Sequence, residues 1–212
     1  MLYFLLMILV SYLVGSFPTA IVYGKLTRKI DIREHGSGNA GATNVFRVMG
    51  WKAGLLVLLI DMLKGLLATV LFYKIAVGAI AITPVLLQII AGLFAVFGHI
   101  WTIFAGFKGG KGVGTGAGMI IGLVPGAVLL GIIVFIITVA LTQYVSLGSI
   151  LASLTIPIYL FVNHFLLDHP ESLAILIFGI FIPILIIFTH RSNIQRLLKG
   201  TENKIKFSKS KN

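Results

Sequence analysis

The sequence predicts an all-α protein, a polytopic bundle of membrane-spanning helices. Three observations predict it. The chain of 212 residues is 58% hydrophobic and only 11% charged. Its mean hydropathy is +1.06, far above that of a soluble domain. Its apolar residues fall in long runs separated by short polar stretches that carry most of the lysines and arginines. The chain has no cysteine, which excludes a disulfide framework, a thiolate nucleophile and a Cys-based metal site. Its net charge of +11 reads as cytoplasmic loops facing anionic lipids and anionic substrates, not as a nucleic-acid surface.

The elements follow in order. Residues 1–23 form an uncharged apolar stretch, followed by Lys25, Arg28, Lys29 and Arg33. A secretory signal would carry its basic residues first. The positive-inside rule keeps these four in the cytoplasm and places the N-terminus outside. Gly15, Ser16 and Pro18 interrupt the helix and predict close packing or a kink. Residues 25–52 read as a long polar loop, and loops of that length are usually functional or disordered. Within it, Ser37, Asn39, Thr43 and Asn44 offer donors and acceptors for a polyol, and Arg47 offers a planar fork for phosphate.

Residues 53–73 are the second span. Asp61 and Lys64, three apart, share a helical face, and an ion pair is the favoured reading. Residues 83–105 return to the cytoplasm with His99 near their end, a residue type more often packed than catalytic at a helix terminus. Residues 106–118 hold seven glycines with Lys108 and Lys111. Such a turn brings backbone close to a ligand and aims N–H groups at an anion, so Lys108, Gly109, Gly110, Lys111, Gly112 and Thr115 read as a phosphate cradle. It is no Walker A loop, because Gly112 follows Lys111 where that motif needs Ser or Thr.

The basic C-terminal stretch belongs in the cytoplasm, as does the cradle, so an even number of crossings separates them. Pro125-Gly126 breaks a long apolar run, giving a short helix to about 124 and a return to about 142. Residues 142–149 form a cytoplasmic turn with Ser146 and Ser149. The chain leaves by about 163 and returns over 173–189. This gives seven transmembrane helices, or five if 116–142 is no spanning hairpin, in one domain with a basic tail at about 203–212. Four polar stretches gather on the cytoplasmic face: 37–47, 108–115, 142–149 and 190–202. In the last, His190, Asn193 and Arg196 share a face at spacing three, and a histidine beside an arginine can act as a base or bind phosphate.

These residues carry a resemblance. The stretches 37–47, 98–113 and His190-x-x-Asn193-x-x-Arg196-x-x-x-Gly200-x-Glu202 resemble, in order, the three motifs of the bacterial acyl-phosphate:glycerol-3-phosphate acyltransferases. Gly15-Ser16-x-Pro18 and Asp61-x-x-Lys64-Gly65 are similar to further family features, and Gly114 departs from a frequent alanine. The resemblance implies a multi-pass inner-membrane enzyme with its site on the cytoplasmic side. It implies transfer of a fatty acyl group from acyl phosphate to the 1-hydroxyl of sn-glycerol 3-phosphate, without cofactor or metal. It also implies functional coupling to the enzyme that supplies acyl phosphate. His190 and Asn193 are then the catalytic candidates, with a substrate phosphate oxygen as the rival base. Arg47, Lys111 and Arg196 would neutralise phosphates. Ser37, Asn44, Ser146 or Ser149 would meet glycerol hydroxyls, and Glu202 joins the substrate site. The pattern of His followed five positions later by Asp, used by acyl-CoA enzymes, is absent. The alternative reading is an organic-phosphate transporter, which would need its polar groups near the midplane.

Overall fold

The computed structural model describes residues 1–205 and is all-helical within them. The predicted basic tail at 203–212 therefore lies mostly outside the described residues. Helix α1, Leu2–Ser16, stops before Pro18, and α2, Thr19–Arg28, resumes the run. Proline lacks an N–H, so carbonyls at the break lose their helical partners. Others supply donors: Lys64 Nζ reaches the Phe17 carbonyl at 2.6 Å, and Thr102 Oγ1 donates to that of Ser16.

The predicted polar loop over 25–52 is shorter than expected. Helix α2 continues to Arg28, α3 spans Ala42–Met49, and α4, Trp51–Val70, begins two residues later. The reason is amphipathic pattern: Val45 and Asn44 point inward on a single turn while Arg47 stays half-buried. Asn44 organises the remaining loop. Its Nδ2 donates to the Ile32 and His35 carbonyls at 2.9 Å each, and its Oδ1 accepts the Ser37 N–H at 2.8 Å.

Helix α5, Pro84–Ile100, starts with Thr83 as N-cap and proline in the first turn. Helices α6, Val113–Leu123, and α7, Pro125–Thr142, meet at the expected Pro125 break. Helix α8, Val145–Phe161, passes through a π-turn at Val162–Leu166, and α9, Leu173–Thr189, leads into α10, Arg191–Leu198, across a 63° bend.

Small residues let the helices meet closely. A Cβ added at Gly65 would overlap the Thr115 carbonyl, and one at Gly118 that of Met62, so α4 and α6 touch backbone to backbone. Gly15 and Gly98 do the same for α1 and α5. Val96, Met119, Ile120, Leu160, Phe178 and Ile182 form the main core. The opposite surfaces remain apolar, as Leu129, Ile133, Ile136 and Ile137 of α7 do, which suits contact with lipid.

Among the described residues, five helical stretches are long and apolar enough to cross a membrane, and a sixth if α9 and α10 count together. The expected seventh, α6, has eleven residues. At about 1.5 Å per residue it is about half the thickness of a hydrocarbon core. The described residues thus contain five or six membrane-length helices.

Candidate active site

The four polar stretches meet. A cavity of about 420 Å³ is lined by Ser37, Asn39, Thr43, Asn44 and Arg47 from the first, Lys111 from the second, Ser146 and Ser149 from the third, and His190, Asn193 and Glu202 from the fourth. Asp61 and His99 also line it, and much of the remaining wall is apolar, with Trp51, Leu55 and Leu58 from α4 and Phe135 and Val139 from α7.

Glu202 is the hub of the polar side, buried and fully occupied. Its Oε1 accepts Ser146 Oγ at 2.9 Å and Asn193 Nδ2 at 2.7 Å, and its Oε2 accepts Arg196 Nε at 2.7 Å. Burial alone would raise its pKa. The hydrogen bonds from Asn193, Ser146 and Arg196 outweigh burial and hold it below the ordinary carboxylate value.

Three cations surround this single carboxylate. Arg196 binds it directly. Lys111 donates to Asn193 Oδ1 and so reaches Glu202 through an amide. Arg47 gives one Nη2 bond to the Asn203 carbonyl at 3.3 Å, while its buried Nε has no partner among the described residues. Burial pulls Lys111 down to about 8, with Arg196 and Arg47 pushing the same way and Glu202 opposing them. Burial also lowers Arg47. The cluster thus sets three cations against one carboxylate, an excess of two positive charges: a half-enclosed site with that surplus and an unused guanidinium donor calls for an anion.

His190 stands at the bend just past α9. Its Nδ1 lies 2.8 Å from the Ile186 carbonyl, so Nδ1 carries the proton and Nε2 keeps its lone pair. Burial, then the nearby Lys111, depress it to about 4. The imidazole is neutral at physiological pH, an acceptor of low basicity.

Residues 5–200 match the family model described as glycerol-3-phosphate acyltransferase. The chain belongs to the glycerol-3-phosphate acyltransferase family. It is 47% identical to the glycerol-3-phosphate acyltransferase of Chlorobaculum tepidum and 48% identical to that of Chlorobaculum parvum, each alignment covering 99% of both chains. Its fold is similar to crystal structures of PlsY, an integral membrane glycerol 3-phosphate acyltransferase. The glycerol 3-phosphate form matches with TM-score 0.82 and 38% identity over 96% of each chain. The lysophosphatidic acid form matches with TM-score 0.80 and 37% identity over 96% of this chain and 95% of that one. The transporter alternative finds no support among these acyltransferases.

Within this acyltransferase the glycine cradle differs from its sequence reading. The N–H groups of Gly109 and Gly110 donate to the Ile100 and His99 carbonyls at 3.0 Å each. They cap the open end of α5 instead of facing a ligand. Gly112, at φ 84°, is the left-handed entry to α6. Thr115 is fully buried between α6 and α4, and Lys108 is exposed away from the cavity. Of the cradle residues only Lys111 reaches the cavity wall. Asn44 lines the cavity, yet its amide is engaged in its own loop. Glu202 is a carboxylate already holding three donors, a poor ligand for phosphate. Arg196 acts from behind Glu202. Asn193 bridges Lys111 and Glu202, which makes it an organiser. Two residues reach the cavity that the sequence reading kept apart from it, Asp61 and His99. Their signal was polarity inside a span.

Proposed function

We propose that this acyltransferase moves a fatty acyl group from an acyl phosphate to the 1-hydroxyl of sn-glycerol 3-phosphate, releasing lysophosphatidic acid and phosphate. The observation that carries this reading is the trio Arg47, Lys111 and Arg196 around one carboxylate, at the end of an apolar groove. Both substrates bring a phosphate and one brings an alkyl chain. The apolar wall of α4 and α7 suits that chain.

An acyl phosphate is already activated, so no covalent enzyme intermediate is needed. The glycerol oxygen attacks the carbonyl carbon, the bond from that carbon to the phosphate oxygen breaks, and phosphate leaves with the electron pair. Arg47 and Lys111 neutralise charge that grows on the leaving phosphate. Alignment of the two substrates supplies much of the remaining acceleration. The hydroxyl proton needs an acceptor. A phosphate oxygen, with a second pKa of about 6, is a stronger base than His190 in this site. That favours the substrate as base, with His190 Nε2 aligning the hydroxyl. Ser37, Asn39, Thr43 and Ser149 border the space left for the glycerol. Asn193 holds Lys111 ready.

The membrane arrangement belongs to the same reading. The chain is one domain with seven crossings, its N-terminus outside and its C-terminal stretch cytoplasmic, in the inner membrane. Lys111 before α6 and Val139 near the end of α7 both border the cavity, which supports an α6–α7 hairpin that leaves that face and returns to it. Lys25, Arg28, Lys29, Lys52, Lys108, Arg191 and Lys199 lie in or beside the stretches of sequence that supply the cavity's polar residues, which supports a cytoplasmic site. The acyl-phosphate-producing enzyme is the expected functional partner. The test is reconstitution in lipid with labelled glycerol 3-phosphate and palmitoyl phosphate, palmitoyl-CoA or acyl carrier protein in parallel. Product from the phosphate alone supports the reading. Product from palmitoyl-CoA alone overturns the donor.

A further inference from the structure

Two buried polar side chains at the cavity wall have no part in the chemistry above. Asp61 of α4 and His99 of α5 are 3% and 8% exposed. Asp61 Oδ1 accepts Lys64 Nζ at 2.6 Å and Thr19 Oγ1 at 2.9 Å, and His99 Nδ1 lies 3.6 Å from the same oxygen. The other edge of the His99 ring faces the glycine turn. A Cβ built on Gly110 would collide with Nε2, Cε1 and Cδ2 of that ring. The backbone joins the same partners: the Gly110 N–H donates to the His99 carbonyl and the Gly109 N–H to that of Ile100. A Cβ on Gly109 would strike the His99 carbonyl oxygen. Lys111 follows directly. Its carbonyl accepts Thr189 Oγ1 at 3.0 Å, and its ammonium reaches Asn193.

A flat ring is therefore wedged between a fixed carboxylate and the main chain of the residue before Lys111. The ring sets how far the turn stands from α4, and with it where the Lys111 side chain begins. We propose that His99, held against Asp61, is a positioning residue that fixes Lys111 through Gly110. Glycine is required at 110 because the ring occupies the space of a side chain, and not because a phosphate needs the Gly110 backbone. The Gly110 N–H is already engaged with His99, which supports the same conclusion. This inference rests on the reading of Lys111 as a phosphate ligand.

The test is a double-mutant cycle of Gly110→Ala and His99→Ala in the lipid-reconstituted enzyme, with kcat and KM measured for glycerol 3-phosphate and palmitoyl phosphate. Gly110→Ala alone should lose about 10²-fold in kcat/KM, the scale of a displacement near 1 Å. His99→Ala alone should raise KM for the phosphate substrates about 10-fold and change kcat by less than about 3-fold. In the His99→Ala background the Gly110→Ala substitution should cost less than about 3-fold, because the clash is gone. His99→Asn, smaller than the ring but still a donor towards Asp61, should relieve Gly110→Ala in the same way and serves if the alanine variant does not fold. Losses that multiply in the double variant would overturn the proposal. So would a His99→Ala loss confined to kcat. Wild-type turnover tests the proposed function separately, so independent effects in an active enzyme are the failure of this inference alone.

Discussion

Lys111 and Glu202 are joined through Asn193, whose Oδ1 accepts the ammonium and whose Nδ2 donates to the carboxylate at 2.7 Å. The amide lets opposite charges stabilise each other without closing on each other. A direct ion pair would use up the lysine. With the amide between them, an incoming phosphate can take the ammonium while Glu202 keeps Ser146 and Arg196. Asn193→Asp would set a second carboxylate against Glu202. It should lower Tm by several degrees and reduce kcat/KM by about 10²-fold, read by thermal unfolding and steady-state kinetics.

Of the three cations around Glu202, Arg47 and Lys111 do not bond the carboxylate directly, whereas Arg196 does. Arg47→Ala and Lys111→Ala should each cut kcat/KM by about 10²–10³-fold while the protein inserts and purifies intact. Arg47→Lys keeps the charge but loses the planar fork, and should recover only part of the activity. Kinetics like the wild type in either alanine variant would remove that residue from the site.

Lys111 gives the enzyme an alkaline limb. Its pKa is depressed to about 8, so it loses its proton as pH rises through that value, and kcat/KM for palmitoyl phosphate should fall about tenfold per pH unit beyond it. Lys111→Arg should move that limb above pH 10. In the unliganded fold the sign is opposite: charging a buried lysine is unfavourable, so this group's contribution to stability grows from about pH 8 towards its unfolded value near 10.5. A pH series of kcat/KM and of Tm reads both.

His190→Ala should lower kcat by about 10-fold with little change in KM, as expected for a side chain that aligns a hydroxyl. Loss of a general base would cost about 10²–10⁴-fold. A loss in that larger range would make His190 Nε2 the proton acceptor. A change in KM alone would demote it to binding.

Asp61 and Lys64 form a buried pair, both 5% exposed or less. Asp61→Ala leaves an ammonium unpaired and should destabilise the fold by about 3–5 kcal/mol. The double variant Asp61→Asn with Lys64→Met removes both charges and should recover most of that loss. Thermal unfolding in matched detergent checks it.

Much of this was legible in the sequence because membrane segments announce themselves by length and charge. The break at Pro18, the hairpin break at Pro125 and the return over 173–189 were placed within a few residues. Asn193 and Arg196, three apart on α10, both reach Glu202, while His190 stands before that helix and bonds back to Ile186. Helix α3 escaped the reading of 25–52 as one polar loop because its eight residues make barely two turns, and its amphipathic pattern, with Val45 and Asn44 inward, is short beside the glycines and charges that flank it. The glycine turn was misread for a physical reason. Sequence shows that glycine permits close approach but not what approaches, and here the partners are His99 and the carbonyls at the end of α5. His99 and Asp61 come together across two helices, a contact no spacing rule reaches.

On the proposed reading, surplus positive charge at Arg47, Lys111 and Arg196 selects substrates by their phosphates. The most direct measurement compares glycerol 3-phosphate with glycerol as acceptor, in the reconstituted wild-type enzyme with palmitoyl phosphate. The expected result is lysophosphatidic acid from the first and no detectable monoacylglycerol from the second at equal concentration. Comparable turnover of both acceptors would contradict it.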